Sequence, residues 1–345
     1  MQLGRIIIDI FGTELTNEDI DLLKHPYVGG VILFSRNFYS ISQIRDLIKK
    51  IKSLRSPSLV IYLDQEGGKV QRFKEGMTLL PSISLLGKKY TDDPNEAFFL
   101  AKELGWLIGF ELASIGIDVN TSPVLDINYS RSNVMAERCF SSKPKVVSLL
   151  AELFIIGSKE SGISSICKHY PGHGFAKTDS HVELPVDNRD IKTIFQDDLL
   201  PYKKAIELKV EGIMTSHVLY KCVDSLPPTL SSKWTKILRN DLRYKGLIFS
   251  DDLSMHALNE FGEIQDNVLK SLNAGCDCVF ICNNRNKVIN TLDNIVVESN
   301  RQVCDKLIKL NKDNTNSHFK KNKRRLSFID RLLRISDNKQ IEINI

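Results

Sequence analysis

The sequence predicts an α/β protein, a single-domain (β/α)8 TIM barrel, and three observations carry that expectation. Eight short runs rich in apolar and β-branched residues recur along the chain. Most of these runs are near-continuous rather than alternating, the pattern of strands buried on both faces of a parallel sheet. Helix-like stretches with apolar residues at helical spacing lie between them, and repeated strand–helix alternation closes into a barrel.

The strand runs, in order, are RIIIDI at 5–10, GVILF at 30–34, LVIYLD at 59–64 and IDVNTSPVLD at 117–126. ISSICKHY at 163–170, GIMTSHV at 212–218, LIFSDD at 247–252 and DCVFIC at 277–282 complete the set. The helical stretches include SISQIRDLIKKIKSL at 40–54, which opens on a serine suited to an N-cap. Further helices are expected at 95–116, 145–162, 195–209, 231–243 and 263–275. The barrel is expected to fill residues 1–300, followed by a basic tail at 301–345 that is helical or partly disordered.

Composition narrows the function classes. Hydrophobic residues make up 42% of the 345 and charged residues 26%, ordinary values for a globular protein. The net charge of +5 is concentrated near the C-terminus, where Lys320, Lys321, Lys323, Arg324 and Arg325 form one run. The remaining chain is close to balanced, which argues against a nucleic-acid partner. The basic run reads as a solvated end, with contact to an anionic surface as the alternative. The N-terminal MQLGRIIIDIFGTEL is broken by Asp9 and lacks the layout of a signal peptide. No stretch approaches the ~20 apolar residues of a membrane span. The seven cysteines sit mostly in apolar segments and read as buried thiols in a reducing cytoplasm, not as a disulfide frame or a zinc site.

Polar residues gather at one end of the strand runs. Asp64 ends the third, Asp126 the fourth, Lys168 and His169 the fifth, His217 the sixth, and Asp251 and Asp252 the seventh. In a barrel all strand C-termini open on one face, where active sites are built. Any one such residue could simply meet solvent; five endings together point to a site.

Three segments carry the chemistry. In KHYPGHGFAKTDSH at 168–181, Pro171 and Gly172 interrupt the spacing of His169 and His173, which argues against a helical metal pair, and no metal is expected. The loop from Tyr170 to LPVD at 184–187 is long enough to be functional. In it Asp179 and His181 are placed for a carboxylate to set the tautomer of an imidazole working as a proton carrier, although a capping turn would read the same. In FSDDLSMHAL at 249–258, Asp251 is assigned the chemistry and Asp252 a supporting role, with helix N-capping as its plain alternative. In DQEGGKVQRF at 64–73, Asp64 and Arg72 can reach the mouth together and bind hydroxyls, an arrangement a surface ion pair would mimic.

These segments, together with GVILFSRNF at 30–38 and MTSHV at 214–218, resemble glycoside hydrolase family 3 β-N-acetylhexosaminidases of the single-domain bacterial type that serves peptidoglycan recycling. The likeness runs in order to about residue 300 and does not reach the tail. It implies a retaining hydrolase without a cofactor. By the family pattern Asp251 is the nucleophile, His181 the general acid/base and Asp179 its orienting partner. Asp64, Arg72, Arg138, Lys168 and His169 match residues that hold the N-acetylglucosamine ring. The implied substrate is a small muropeptide or amino sugar such as N-acetylglucosaminyl-1,6-anhydro-N-acetylmuramic acid, with or without peptide, and the implied state a monomer. A phosphorylase or a β-glucosidase of the same family, or a non-catalytic sugar-binding barrel, are the competing readings.

Overall fold

A computed structural model describes residues 2–131, 135–178, 180, 183–312, 315 and 318–335. Eight parallel strands close into a barrel in chain order: β1 (Ile6–Ile8), β2 (Val28–Leu33), β3 (Val60–Leu63), β4 (Val119–Asn120), β5 (Ser164–Tyr170), β6 (Gly212–Thr215), β7 (Leu247–Asp252) and β8 (Cys278–Ile281). Each pairs with its sequence neighbours, and Ile6 opposite Val279 joins the first strand to the last. Almost every strand residue is buried, which is why the runs read as unbroken apolar stretches.

Aromatic rings plug the barrel interior. Tyr62 on β3, Phe249 on β7 and Phe280 on β8 meet at centroid separations of 5.5–6.0 Å. Small residues on the intervening strands make room for them. A Cβ on Gly30 of β2 would stand 2.5 Å from the Tyr62 ring, and one on Gly212 of β6 would stand 2.8 Å from the Phe249 ring. The interior is therefore packed solid, and the strand ends, not a central channel, must hold any ligand.

The surrounding helices follow from local sequence. Helix α1 (Asn17–Lys24) opens on a Thr16–Asp19 capping box, and α2 (Ile41–Ser53) on Ser40, whose hydroxyl accepts from the Gln43 amide at 3.2 Å. Ile44, Leu47, Ile48 and Ile51 then form the buried stripe of α2. After α3 (Ser84–Asp92) comes α4 (Pro94–Ser114), with Asp93 as cap and Pro94 in its first turn. Helix α5 (Pro144–Ser161) precedes β5.

Two expected helices are divided. The stretch at 195–209 becomes α6 (Ile191–Gln196) and α7 (Leu199–Glu207), parted at Asp197 and Asp198. That at 231–243 becomes α8 (Ser232–Lys236) and a π-helical turn, Ile237–Asp241. Then follow α9 (Ile264–Ala274) and α10 (Arg285–Asn294). The fourth strand run also shortens, because Pro123 has no N–H to give the ladder and only the Val124–Lys168 bridge continues it.

Beyond residue 300, α11 (Arg301–Leu310) and α12 (Lys323–Ile335) pack against the barrel. The solvated-end expectation fails for two members of the basic run. Arg324 bonds Glu103 and Glu160. Arg325 is buried and donates from Nε to Glu111 of α4 at 2.6 Å, while Thr78 gives the same carboxylate its amide and hydroxyl. Phe328, Ile329 and Leu332 of α12 join the main core.

Six of the seven cysteines are buried thiols, and Cys222 is exposed. Among the described residues no helix is long and apolar enough to cross a membrane.

Candidate active site

The C-terminal ends of the strands surround a cavity of about 340 Å³. Asp64, Arg72, Arg138, Lys168, His169 and Asp251 all line it, so one site gathers six of the eight residues singled out from sequence. Asp179 and His181 lie outside the described residues. Ser180, between them, is buried and lines the same cavity, and its carbonyl accepts from the Ala257 amide at 3.1 Å.

One wall is a network of alternating charge. Asp64 directly follows β3; it accepts from Lys168 Nζ at 2.7 Å, from Arg72 at 3.1 Å and from the Thr121 hydroxyl. Arg72 comes back beside Asp64 because Gln65–Gly67 and Val70–Gln71 form a short antiparallel hairpin, turned at Gly67 and Gly68 with positive φ. Lys168 Nζ also lies 2.8 Å from Glu66, and Arg138 grips Glu66 through two bonds of 2.8 Å each. Burial alone would push the Asp64 and Glu66 carboxyls up. Lys168, then Arg72, outweigh it for Asp64 and hold it far below the usual range. Lys168, then Arg138, hold Glu66 down at about 2. Burial likewise disfavours the Lys168 ammonium, but Asp64 and Glu66 raise its pKa.

Glu66 was missed from sequence. The signal existed: it stands two residues after Asp64 and so can turn to the same side of an extended segment. The two acids and three cations leave guanidinium and ammonium hydrogens, and carboxylate lone pairs, facing one small space. Such a wall can bind a ring bearing several hydroxyls.

A second part of the site rests on histidine and aspartate. Asp126 accepts from His169 Nδ1 at 2.7 Å and from the His173 amide at 2.7 Å. Because the carboxylate can only accept, it fixes the proton on Nδ1 and leaves Nε2 of His169 as the free ring nitrogen. His173 packs edge-on to His169 at 5.9 Å; burial, then His169, lowers its pKa. Among the described residues no cluster of three or more His, Cys, Asp or Glu is arranged to hold a metal ion.

Asp251 sits near the end of β7 and accepts from the Asp252 amide at 2.8 Å. Burial alone would raise its carboxyl; His169, then His217, the Asp252 amide and Lys168 outweigh that and keep it below the usual range. Its neighbour behaves oppositely. Burial lifts Asp252 to about 7, although the Ser254 amide and hydroxyl and the Cys282 amide all donate to it. These bonds tie the end of β7 to β8. Asp252 caps no helix: the next helical turn, His256–Phe261, has Met255 at its start. A carboxylate held below the usual range beside one lifted to about 7 divides roles between adjacent aspartates.

A parallel barrel carrying this site at its C-terminal mouth, with a charged ionised aspartate facing a polar ring-sized cavity, is a TIM-barrel glycosidase in its architecture. Residues 2–310 match the glycosyl hydrolase family 3 N-terminal domain. A β-hexosaminidase of Methylobacillus flagellatus is 42% identical over 311 residues, which cover 90% of this chain and 89% of that one. A β-hexosaminidase of Nitrosospira multiformis is 44% identical over 285 residues, 82% of each. The crystal structure of NagZ from Neisseria gonorrhoeae in complex with N-trifluoroacetyl-D-glucosamine superposes with a TM-score of 0.92 at 34% identity, covering 98% of this chain and 99% of that one. The chain belongs to glycosyl hydrolase family 3 and is an enzyme of the β-N-acetylhexosaminidase type found in those relatives.

Proposed function

We propose that this enzyme removes terminal β-linked N-acetylglucosamine from muropeptides such as N-acetylglucosaminyl-1,6-anhydro-N-acetylmuramic acid, with or without peptide, during cell-wall recycling. The observation that supports it most is Asp251: a carboxylate kept ionised at the edge of a cavity that Asp64, Arg72, Arg138, Lys168 and His169 also line. The reaction runs in two displacements. An Asp251 oxygen attacks the anomeric carbon while the glycosidic C–O bond breaks, and His181 gives its proton to the departing oxygen. Water then attacks the anomeric carbon, passing a proton back to His181 and freeing Asp251, with net retention. Asp179 orients His181. Both loop residues are assigned from the family pattern. The positive charge that develops on the sugar ring is stabilised by the anionic Asp251 beneath it. The N-trifluoroacetyl-D-glucosamine held by the Neisseria gonorrhoeae relative supports an N-acylglucosamine in the cavity. In this reading the enzyme works in the cytoplasm as a monomer, with residues 1–300 as the catalytic unit.

The test pairs p-nitrophenyl β-N-acetylglucosaminide with the matching glucoside. Turnover of the first and not the second is expected. Asp251→Ala should lower kcat by a factor on the order of 10³ or more. A slow 5-fluoro glycoside should label the protein at Asp251, and a label on any other side chain would overturn the nucleophile assignment.

A further inference from the structure

At the opposite end of the barrel, where β5, β6 and β7 begin, lies a hollow of about 680 Å³. This is the volume of a small-molecule site. Its floor is apolar, formed by Ile206, Val210, Leu247 and Leu310. Six cations surround it: Lys209, Arg243, Lys245, Lys306, Lys309 and Lys312. Only two acids join them, and both are engaged elsewhere, Glu207 with Lys204 at 2.9 Å and Glu211 with Lys159 at 3.5 Å. Among the described residues, none of the six cations has a carboxylate within ion-pair distance. The Lys306 ammonium is turned to backbone instead, donating to the Lys245 carbonyl at 2.7 Å.

Helix ends account for part of this. Lys209 and Lys309 stand where α7 and α11 finish, and the helix dipole favours cations there. That does not explain Lys245, nor why six like charges, which repel one another, line one hollow. Lys209 and Arg243 hold left-handed backbone, at φ 55° and 57°, where glycine is the usual residue, and place cations on the rim there. Ser164, at the start of β5, is buried in the wall of the hollow.

We propose that this hollow is a second binding site, separate from the sugar-cleaving mouth, for an organic anion that carries two or more negative charges on an apolar body. The charges meet the cationic rim; the body covers the apolar floor. Phosphate and carboxylate anions share this chemistry, and the experiment separates them. The full-length protein is titrated by calorimetry, in about 150 mM salt, with ATP, with benzene-1,3,5-tricarboxylate and with pyrophosphate. Saturable binding of ATP identifies a phosphate ligand, and of the tricarboxylate a carboxylate ligand. Pyrophosphate, which has charge without a body, should bind more weakly than either. Arg243→Glu combined with Lys309→Glu, both exposed, should weaken binding about tenfold or more and leave hydrolysis of the p-nitrophenyl substrate unchanged. The proposal fails if neither organic anion binds saturably, if pyrophosphate binds as tightly, if the double variant keeps its affinity, or if N-acetylglucosamine displaces the anion.

Discussion

At the scale of single residues, the site works by arranging which acids are charged. Glu66 is the clearest case, because it holds Arg138 by two bonds and shares Lys168 with Asp64. Glu66→Gln keeps the shape and removes the charge. KM for the p-nitrophenyl substrate should rise about tenfold or more as Arg138 loosens, with a smaller change in kcat; an unchanged KM would remove Arg138 from sugar binding. Asp252 gives a second test. Its folded pKa, about 7, is above its ordinary 3.8. Its contribution to stability is therefore most favourable below the ordinary value and is lost as pH rises toward 7. Asp252→Asn stays neutral, so its melting temperature should gain on the parent's as pH rises from about 4 to about 7. A gap that closes over that interval would contradict the assignment. Asp64, Lys168, His169 and Asp251 were legible because strand ends carry function in this fold; their partners were less so. Glu66 was hidden in a hairpin whose existence depends on Gly67 and Gly68, and the Asp126–His169 bond joins two strands, a pairing no local pattern displays.

At the scale of elements, the sequence revealed strands better than helix boundaries. Unbroken apolar runs mark a doubly covered strand wherever it falls, as at β2 and β5. The division of 195–209 at Asp197 and Asp198 is set by tertiary contacts: buried Asp198 is 2.8 Å from Arg189 and accepts from the Tyr129 hydroxyl at 3.1 Å. Helix α12 was misread in part because its basic run looks fully solvated until Glu103 and Glu111 of α4 are placed beneath it. Removing one partner of a buried ion pair is costly, so Arg325→Ala should destabilise by about 3–5 kcal/mol. The midpoint of urea unfolding measures this. A loss below about 1 kcal/mol would mean that Glu111 finds other donors or takes up a proton.

At the scale of the whole molecule, the two ends of the barrel differ in charge design. The mouth alternates acids and cations, and the hollow at the far end is lined predominantly by cations. Four acids of the mouth bear on behaviour in acid. Asp64, Glu66, Asp126 and Asp251 all have folded values below their ordinary ones. Their stabilisation is complete above the ordinary range and is lost as pH falls; for Glu66 the window runs from 4.5 to about 2. The melting temperature should drop steeply through that window, and a level profile would show that the network does not stabilise the fold. The eightfold architecture was visible in the sequence because alternation repeats. The far hollow was not, since its cations come from three separated stretches, at 209, 243–245 and 306–312.

The pairing of Glu111 with Arg325 spans 214 positions. Synthesis runs from α4 toward α12, so the acid leaves the ribosome well before its partner. Until translation passes residue 325, α4 carries a carboxylate without its guanidinium. Any chain that stops short of Arg325 keeps that defect, whereas one that includes α12 conceals it.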